Sequence, residues 1–167
     1  LPILPIVHHP NEILETICER VSNFDKDLHC LLDNMYDTMI AEDGVGLAAP
    51  QVGIPRQIAI VDIGEGEESE LIELINPVMI EETGTEIDIE GCLSFPRVYG
   101  KVPRAQMVKV KAFDRHGQEY NLEAEGYLAR AIQHEVDHLQ GVLFTSKVVE
   151  YVEESELTDW SEEQLQR

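Results

Sequence analysis

The chain is short of positive charge. Twelve lysines and arginines stand against 33 aspartates and glutamates, a formal net charge of −21. Such a surface repels phosphate, which argues against DNA or RNA as a partner. Long apolar runs are missing too. None approaches the ~18 residues that a membrane span needs, so no membrane helix is expected. Cysteine is scarce: Cys18, Cys30 and Cys92, without a secretory signal, point to a reducing compartment rather than a disulfide framework. The chain begins Leu1-Pro2-Ile3-Leu4, and no Arg/Ser-rich transit segment is visible; the expected location is the cytoplasm. There is no internal repeat and no linker. The 167 residues are expected to form a single domain over 1–167 that buries a real core, with an acidic tail from about 150 to 167.

What is present centres on one stretch, Gln133-His134-Glu135-Val136-Asp137-His138-Leu139-Gln140-Gly141. His134 to His138 reads H-E-x-D-H inside an apolar periodic segment. On a helix, residues at i and i+4 share a face with Cβ atoms roughly 5–6 Å apart, so the two imidazoles can grip one metal ion. Glu135 is rotated slightly off that face, where its carboxylate can reach a metal-bound water without becoming a ligand.

The rest of the chain reads in order as follows. Ile3 to Val7 is a short strand candidate. Asn11 is expected to cap a brief helix through Cys18. His8 and His9 read as surface residues, and Cys18 as packing. Asp25 caps a longer helix to about Glu42, with Leu28, Leu31, Leu32, Met35, Met39 and Ile40 as its apolar stripe. His29 and Cys30 read as core or boundary residues. Gly44-Val45-Gly46 permits unusual dihedrals and close backbone approach. Gln51 interrupts an apolar run, so its amide either closes a local turn or donates into a site.

Gln57 to Ile63 reads as a strand, followed by a solvated acidic loop from Gly64 to Glu68. Leu71 to Glu82, broken at Asn76-Pro77, and Thr85 to Ile89 read as further strands. Phe95-Pro96 and Val102-Pro103-Arg104 read as irregular, edge-like connections. Met107 to Asp114 and Glu119 to Ala124 form a hairpin around Arg115–Gln118, with His116 facing solvent. Gly126 to Gln140 is the motif helix, stopped at Gly141, and Val142-Leu143-Phe144 packs back on the core. The tail carries seven acidic residues against one basic from Glu150 onward. It reads as a short solvated helix anchored by Leu157 and Trp160.

A third ligand is needed. A metzincin would place a histidine ten residues after His134, where the chain has Phe144. A thermolysin-like site wants a glutamate near Thr158, and Glu156 is close, but in a tail dense with acids. Cys92 is the better candidate, because it lies between Gly91 and Leu93 with polar Glu90 and Ser94 alongside, an odd place for a packing cysteine. One thiolate and two imidazoles leave an open position for water.

Three segments together, Gly44-Val45-Gly46-Leu47-Ala48-Ala49-Pro50-Gln51, Glu90-Gly91-Cys92-Leu93-Ser94 and His134-Glu135-Val136-Asp137-His138, resemble the signature motifs of peptide deformylases, in family order and spacing. The resemblance covers essentially the whole chain. It implies an α+β fold with antiparallel β-sheets packed around the motif helix, and a metal held by Cys92, His134 and His138. The implied reaction removes the formyl group from N-formylmethionyl nascent peptides. Glu135 would act as general base and then acid, while the amide of Gln51 and the backbone N–H of Leu93 would stabilise the formyl oxygen. The implied ion is ferrous iron, although the ligand set also suits zinc, and nickel or cobalt can replace it in preparations.

With Gly44 in the same loop, Val45 and Tyr127 are expected to form the methionine pocket. Gly46 and Gly91 let the peptide lie alongside as an added strand. Glu90, Arg104 and Asp137 are candidates for orienting the ligands. Arg130 reads either as a surface residue or as one whose stem lines the pocket rim. Transient proximity to the ribosome is implied, but the acidic tail departs from the basic helix some relatives use to dock there. Oligomeric state leaves no signal. The rivals are a metallopeptidase that uses a tail carboxylate and a structural zinc site, the latter opposed by Glu135.

Overall fold

A computed structural model describes residues 3–64 and 70–159. The acidic loop beyond Gly64 and Trp160 lie outside the described residues. Five strands form the larger sheet: β1 (Gly46–Ala48), β2 (Ile58–Val61), β3 (Ile72–Thr83), β6 (Met107–Phe113) and β7 (Glu119–Glu125). They are ordered β1-β2-β3-β6-β7, each neighbour antiparallel. A smaller antiparallel sheet is ordered β4-β5-β8, from Glu86–Cys92, Phe95–Arg104 and Glu150–Val152.

Two helices cover the two faces of the larger sheet. Strand β2 is buried throughout, and its side chains alternate as the period of two requires. Ile58 and Ile60 pack with helix α1 (Lys26–Ala41), whereas Ala59 and Val61 pack with helix α2 (Gly126–Leu139). The expected α+β architecture, with antiparallel sheets around the motif helix, is the observed one.

Local chemistry accounts for the helix ends. The Asp25 carboxylate accepts from Leu28 N–H at 3.1 Å, satisfying a donor the first turn leaves unpaired. Leu28, Leu32, Met35 and Met39 are buried at three- and four-residue steps. Ile40 is not part of that stripe. It stands about 100° round the helix from Met39 and is exposed. Cys30 is also exposed, against expectation, whereas His29 is half-buried with Nε2 2.8 Å from the Arg115 carbonyl. Gly141 takes φ +73° one residue beyond the Gln140 cap of α2, the left-handed stop that glycine favours.

Several boundaries differ from the expected ones. Residues 3–7 join no sheet: Val7 N–H donates to the Gln51 carbonyl at 2.7 Å and His9 N–H to Ser94 at 2.9 Å. These are single ties, not a ladder. The helix after Asn11 is only a 3-10 turn, Glu12–Glu15, because Thr16 is already extended. Asn76-Pro77 does not break β3. The strand bulges there, and the Asn76 amide closes the bulge by bonding both Val21 N–H and Val21 O.

Phe95-Pro96 and Val102-Pro103-Arg104, expected as irregular, edge-like connections, are the two ends of the middle strand of the smaller sheet. Strand β8 pairs only with Tyr99–Lys101. Pro96 and Pro103 therefore lie outside that stretch, where a missing N–H costs no bond to β8. The acidic tail supplies β8 and a 3-10 segment, Glu154–Asp159, in place of one solvated helix, and Leu157 is buried.

Candidate metal centre

Helix α2 presents His134 and His138 on one face, with ring centroids 5.0 Å apart. Cys92 comes from the end of β4, where the register slips between Glu90 and Cys92 as the strand meets β5. A bulge of this kind re-aims side chains. Cys92, His134 and His138 bring their donor atoms within 4.8 Å of one another. Glu156, the alternative third ligand, is exposed and does not belong to that group.

The separation of Cys92 Sγ and His138 Nε2 is 3.4 Å. A thiolate and an imidazole sharing one tetrahedral ion, with bonds of about 2.3 and 2.1 Å, would stand ~3.6 Å apart. One sulfur and two nitrogens at this spacing fit a divalent transition metal.

Behind the donors lies a buried ionic seam. Glu90 is 7% exposed and accepts four bonds: His134 Nδ1 at 2.9 Å, Arg104 Nε at 2.8 Å, Arg104 Nη2 at 2.9 Å and Arg130 Nη1 at 2.7 Å. A carboxylate has about four acceptor positions, and all are used. Arg104 also reaches Asp137 at 2.5 Å, and Lys147 meets Asp137 from outside at 2.8 Å. Burial would lift the Glu90 pKa, but Arg104 and His134 outweigh it and hold the carboxyl well below its ordinary range. With Nδ1 bonded to Glu90, His134 has Nε2 left to face Cys92, where together with His138 it would hold an ion.

The two histidines differ. Burial opposes charge on His134, yet its bonds to Cys92 and Glu90 prevail and hold its pKa well above the ordinary value. Burial and the neighbouring His134 push His138 well below it. Glu135 is 5% exposed, and burial lifts its pKa to about 7. Its Oε1 has no hydrogen-bond partner among the described residues. Gly46 makes room for it, since a Cβ there would lie 2.9 Å from Glu135 Cδ. Cys18 is different again, a packing thiol that burial pushes up to about 11.

Gln51 is buried, and its carbonyl oxygen accepts from Ala48 N–H at 2.9 Å. That N–H needs an acceptor, so the amide NH2 must face the other way. It lies 3.5 Å from Cys92 Sγ and 3.2 Å from Ser94 Oγ. The amide thus closes a local turn and also points at the donors. A cleft of about 440 Å³ opens here. Among the expected residues, Gly44, Val45, Gly46, Gly91, Leu93 and Tyr127 all line it. Arg104 and Asp137 stand behind the donors instead.

Some residues of the site were not foreseen. Ser94 is fully buried as the acceptor for Gln51. Tyr99 lies against Gly91, where a Cβ would come 2.8 Å from its ring. His8, read as a surface residue, is exposed but borders the cleft. Arg130 is not on the surface: it is 5% exposed and ion-paired to Glu90, and it lines the cleft, as the second of the two expectations had it. A signal existed, since Arg130 is one turn from His134 on the same helical face. A buried guanidinium needs an acid, and Glu90 was the one within the motifs that lies outside its own helix.

A helix-borne H-E-x-x-H pair completed by a strand-borne thiolate, facing a cleft, defines a metal-dependent hydrolase. The sequence profile of the polypeptide deformylase family matches residues 3–154. The chain is 60% identical over 157 residues to peptide deformylase 1 of Bacillus anthracis, covering 94% of this chain and 99% of that one. It is 56% identical to peptide deformylase 1 of Bacillus subtilis, covering 95% and 98%. The crystal structure of peptide deformylase from Thermotoga maritima superposes with a TM-score of 0.84 at 38% identity, covering 89% of this chain and 99% of that one. The chain belongs to the polypeptide deformylase family.

Proposed function

We infer that this chain hydrolyses the formamide at the N-terminus of newly made polypeptides that begin with formylmethionine, releasing formate and a free amine. The observation that carries this reading is the convergence of Cys92, His134 and His138 beside an unpartnered Glu135 oxygen, at the wall of a cleft.

A bound divalent cation supplies Lewis acidity toward water and the formyl oxygen. Glu135 Oε1 takes a proton from the attacking water, whose oxygen bonds to the formyl carbon. The carbon–nitrogen bond then breaks, and Glu135 returns the proton to the departing amine. A carboxyl with a pKa near 7 is poised for both transfers. The Gln51 NH2, already turned toward the donors, and Leu93 N–H would donate to the oxygen as charge develops on it. Val45 and Tyr127, lining the cleft, suit a methionine side chain. Gly91 lies on the free edge of β4, where a peptide can add as a strand.

We assign ferrous iron as the resident ion, zinc being the ligand set's other natural guest. We place the enzyme in the cytoplasm, meeting chains as they leave the ribosome. With a net charge of −21, it would do so without docking on ribosomal RNA. Formate release from formyl-Met-Ala-Ser, with acetylated and free-amine peptides as controls, tests the reading. Equal turnover of the acetylated peptide would defeat it.

A further inference from the structure

Helix α2 lies along β1, β2, β6 and β7 of the larger sheet. Yet the third metal donor and the strand edge beside the cleft belong to β4, in the other sheet. Something must hold β4 at a set distance from α2, or the thiol and imidazoles would not share an ion. Arg130 is placed to do this. Its Nη1 donates to Glu90 Oε2 at 2.7 Å and to the Val102 carbonyl at 2.8 Å, while Nη2 donates to the Glu86 carbonyl at 2.8 Å. One planar side chain on α2 thus bonds the edge strand β4 at Glu86 and Glu90 and its neighbour β5 at Val102. It leaves the helix one turn before His134, whose ring shares the same carboxylate.

We propose that Arg130 is a positioning residue: it fixes β4 against α2, setting both the spacing of the metal donors and the height of the strand edge that receives the peptide. The proposal rests on the reading of the site given above. It acts in two ways. By holding Glu90 it fixes the acceptor that orients His134. By holding the Glu86 and Val102 carbonyls it fixes the backbone of the smaller sheet directly. An arginine is required, because its rigid fork can satisfy three acceptors at once, whereas an ammonium is a single point on a flexible stem. Arg104, on β5, also links Glu90 to α2 through Asp137, but the Glu86 and Val102 carbonyls are bonded by Arg130, so Arg104 does not replace its hold on the backbone of the smaller sheet.

The test compares Arg130→Met and Arg130→Lys with the parent enzyme. Metal-free protein is titrated with cobalt(II), followed by its visible absorption, and KM and kcat for formyl-Met-Ala-Ser are measured on metal-loaded enzyme. Arg130→Met should weaken cobalt binding by about 10- to 100-fold, the range for losing an outer partner of a ligating histidine. It should also raise KM several-fold, more than it lowers kcat. Arg130→Lys should recover most of the metal affinity, because lysine still reaches Glu90, yet keep the raised KM. If Arg130→Met lowers only the melting temperature, leaving cobalt affinity and KM unchanged, the residue is merely structural and the proposal is overturned. Full recovery of KM by lysine overturns it as well, since charge alone would then suffice. Should the methionine variant fail to fold, the lysine variant carries the test through its KM. Because cobalt binding is read without substrate, failure of this idea is separable from failure of the deformylase reading, which would show as an inactive parent enzyme.

Discussion

Helix α2 has two faces held by different physics. Toward the larger sheet it buries Ala129, Ile132, Val136 and Leu139 among Ala59, Val61, Leu74 and Val110. Toward the smaller sheet it presents Arg130, His134 and Asp137 to Glu90 and Arg104. Apolar packing is non-directional and supplies most of the burial energy. A buried ion cluster contributes little net stability, because desolvation offsets attraction, but removing one member leaves its partners buried and uncompensated. The apolar face thus keeps α2 folded onto the molecule, and the ionic face decides where its two imidazoles stand relative to Cys92.

That division can be broken by mutation, starting with the largest effect on turnover. Glu135→Ala, which removes the only base in the cleft scheme while leaving all three donors, should abolish measurable turnover and retain stoichiometric metal by plasma mass spectrometry. Gln51→Ala should lower kcat by about 10²–10³-fold, roughly 2.7–4 kcal/mol, with metal still bound. A kcat near that of the parent would remove Gln51 from the oxyanion role. Glu90→Ala attacks the ionic face itself. It should cost about 3–5 kcal/mol of stability in urea unfolding and weaken metal binding about 10- to 100-fold. Ile132→Ala attacks the other face. It should cost a similar 2–5 kcal/mol, yet leave turnover per metal-loaded folded molecule unchanged. If the two variants lost metal affinity equally, the two faces would not differ in kind.

The smallest effect concerns pH. Glu135 is lifted from an ordinary 4.5 to about 7 by burial, so the folded metal-free protein binds this proton more tightly than the unfolded chain does. The stabilisation is fully present below the unfolded value and is lost as pH rises through about 7. Glu135→Gln should therefore stabilise the metal-free protein more at pH 8 than at pH 5, by up to about 3 kcal/mol. A melting-temperature difference independent of pH would mean the carboxylate is solvated, and one that ran the other way would mean a partner holds it ionised.

Much of this arrangement was legible in the sequence because it is written in short range. The i, i+4 histidines, the Asp25 cap and the stop at Gly141 each depend on residues within a turn of one another. The three motifs carry the family resemblance. What could not be read was long-range pairing. Pro96 and Pro103 look like strand breakers until β8 is known to touch only Tyr99–Lys101. Arg130 looks like a surface residue until Glu90, forty positions away, is folded beneath it. Ile3–Val7 has the composition of a strand, but its N–H groups find isolated acceptors, Leu4 the Thr38 hydroxyl and Val7 the Gln51 carbonyl. Composition cannot distinguish these outcomes, because the deciding partner lies elsewhere in the chain.

One sulfur and two imidazole nitrogens are to share a cation, and X-ray absorption at the zinc edge of zinc-loaded protein measures that directly. The predicted spectrum has one sulfur at about 2.3 Å and two nitrogens at about 2.0–2.1 Å, with the sulfur shell absent in Cys92→Ala. A first shell of nitrogen and oxygen only in the parent protein would contradict it.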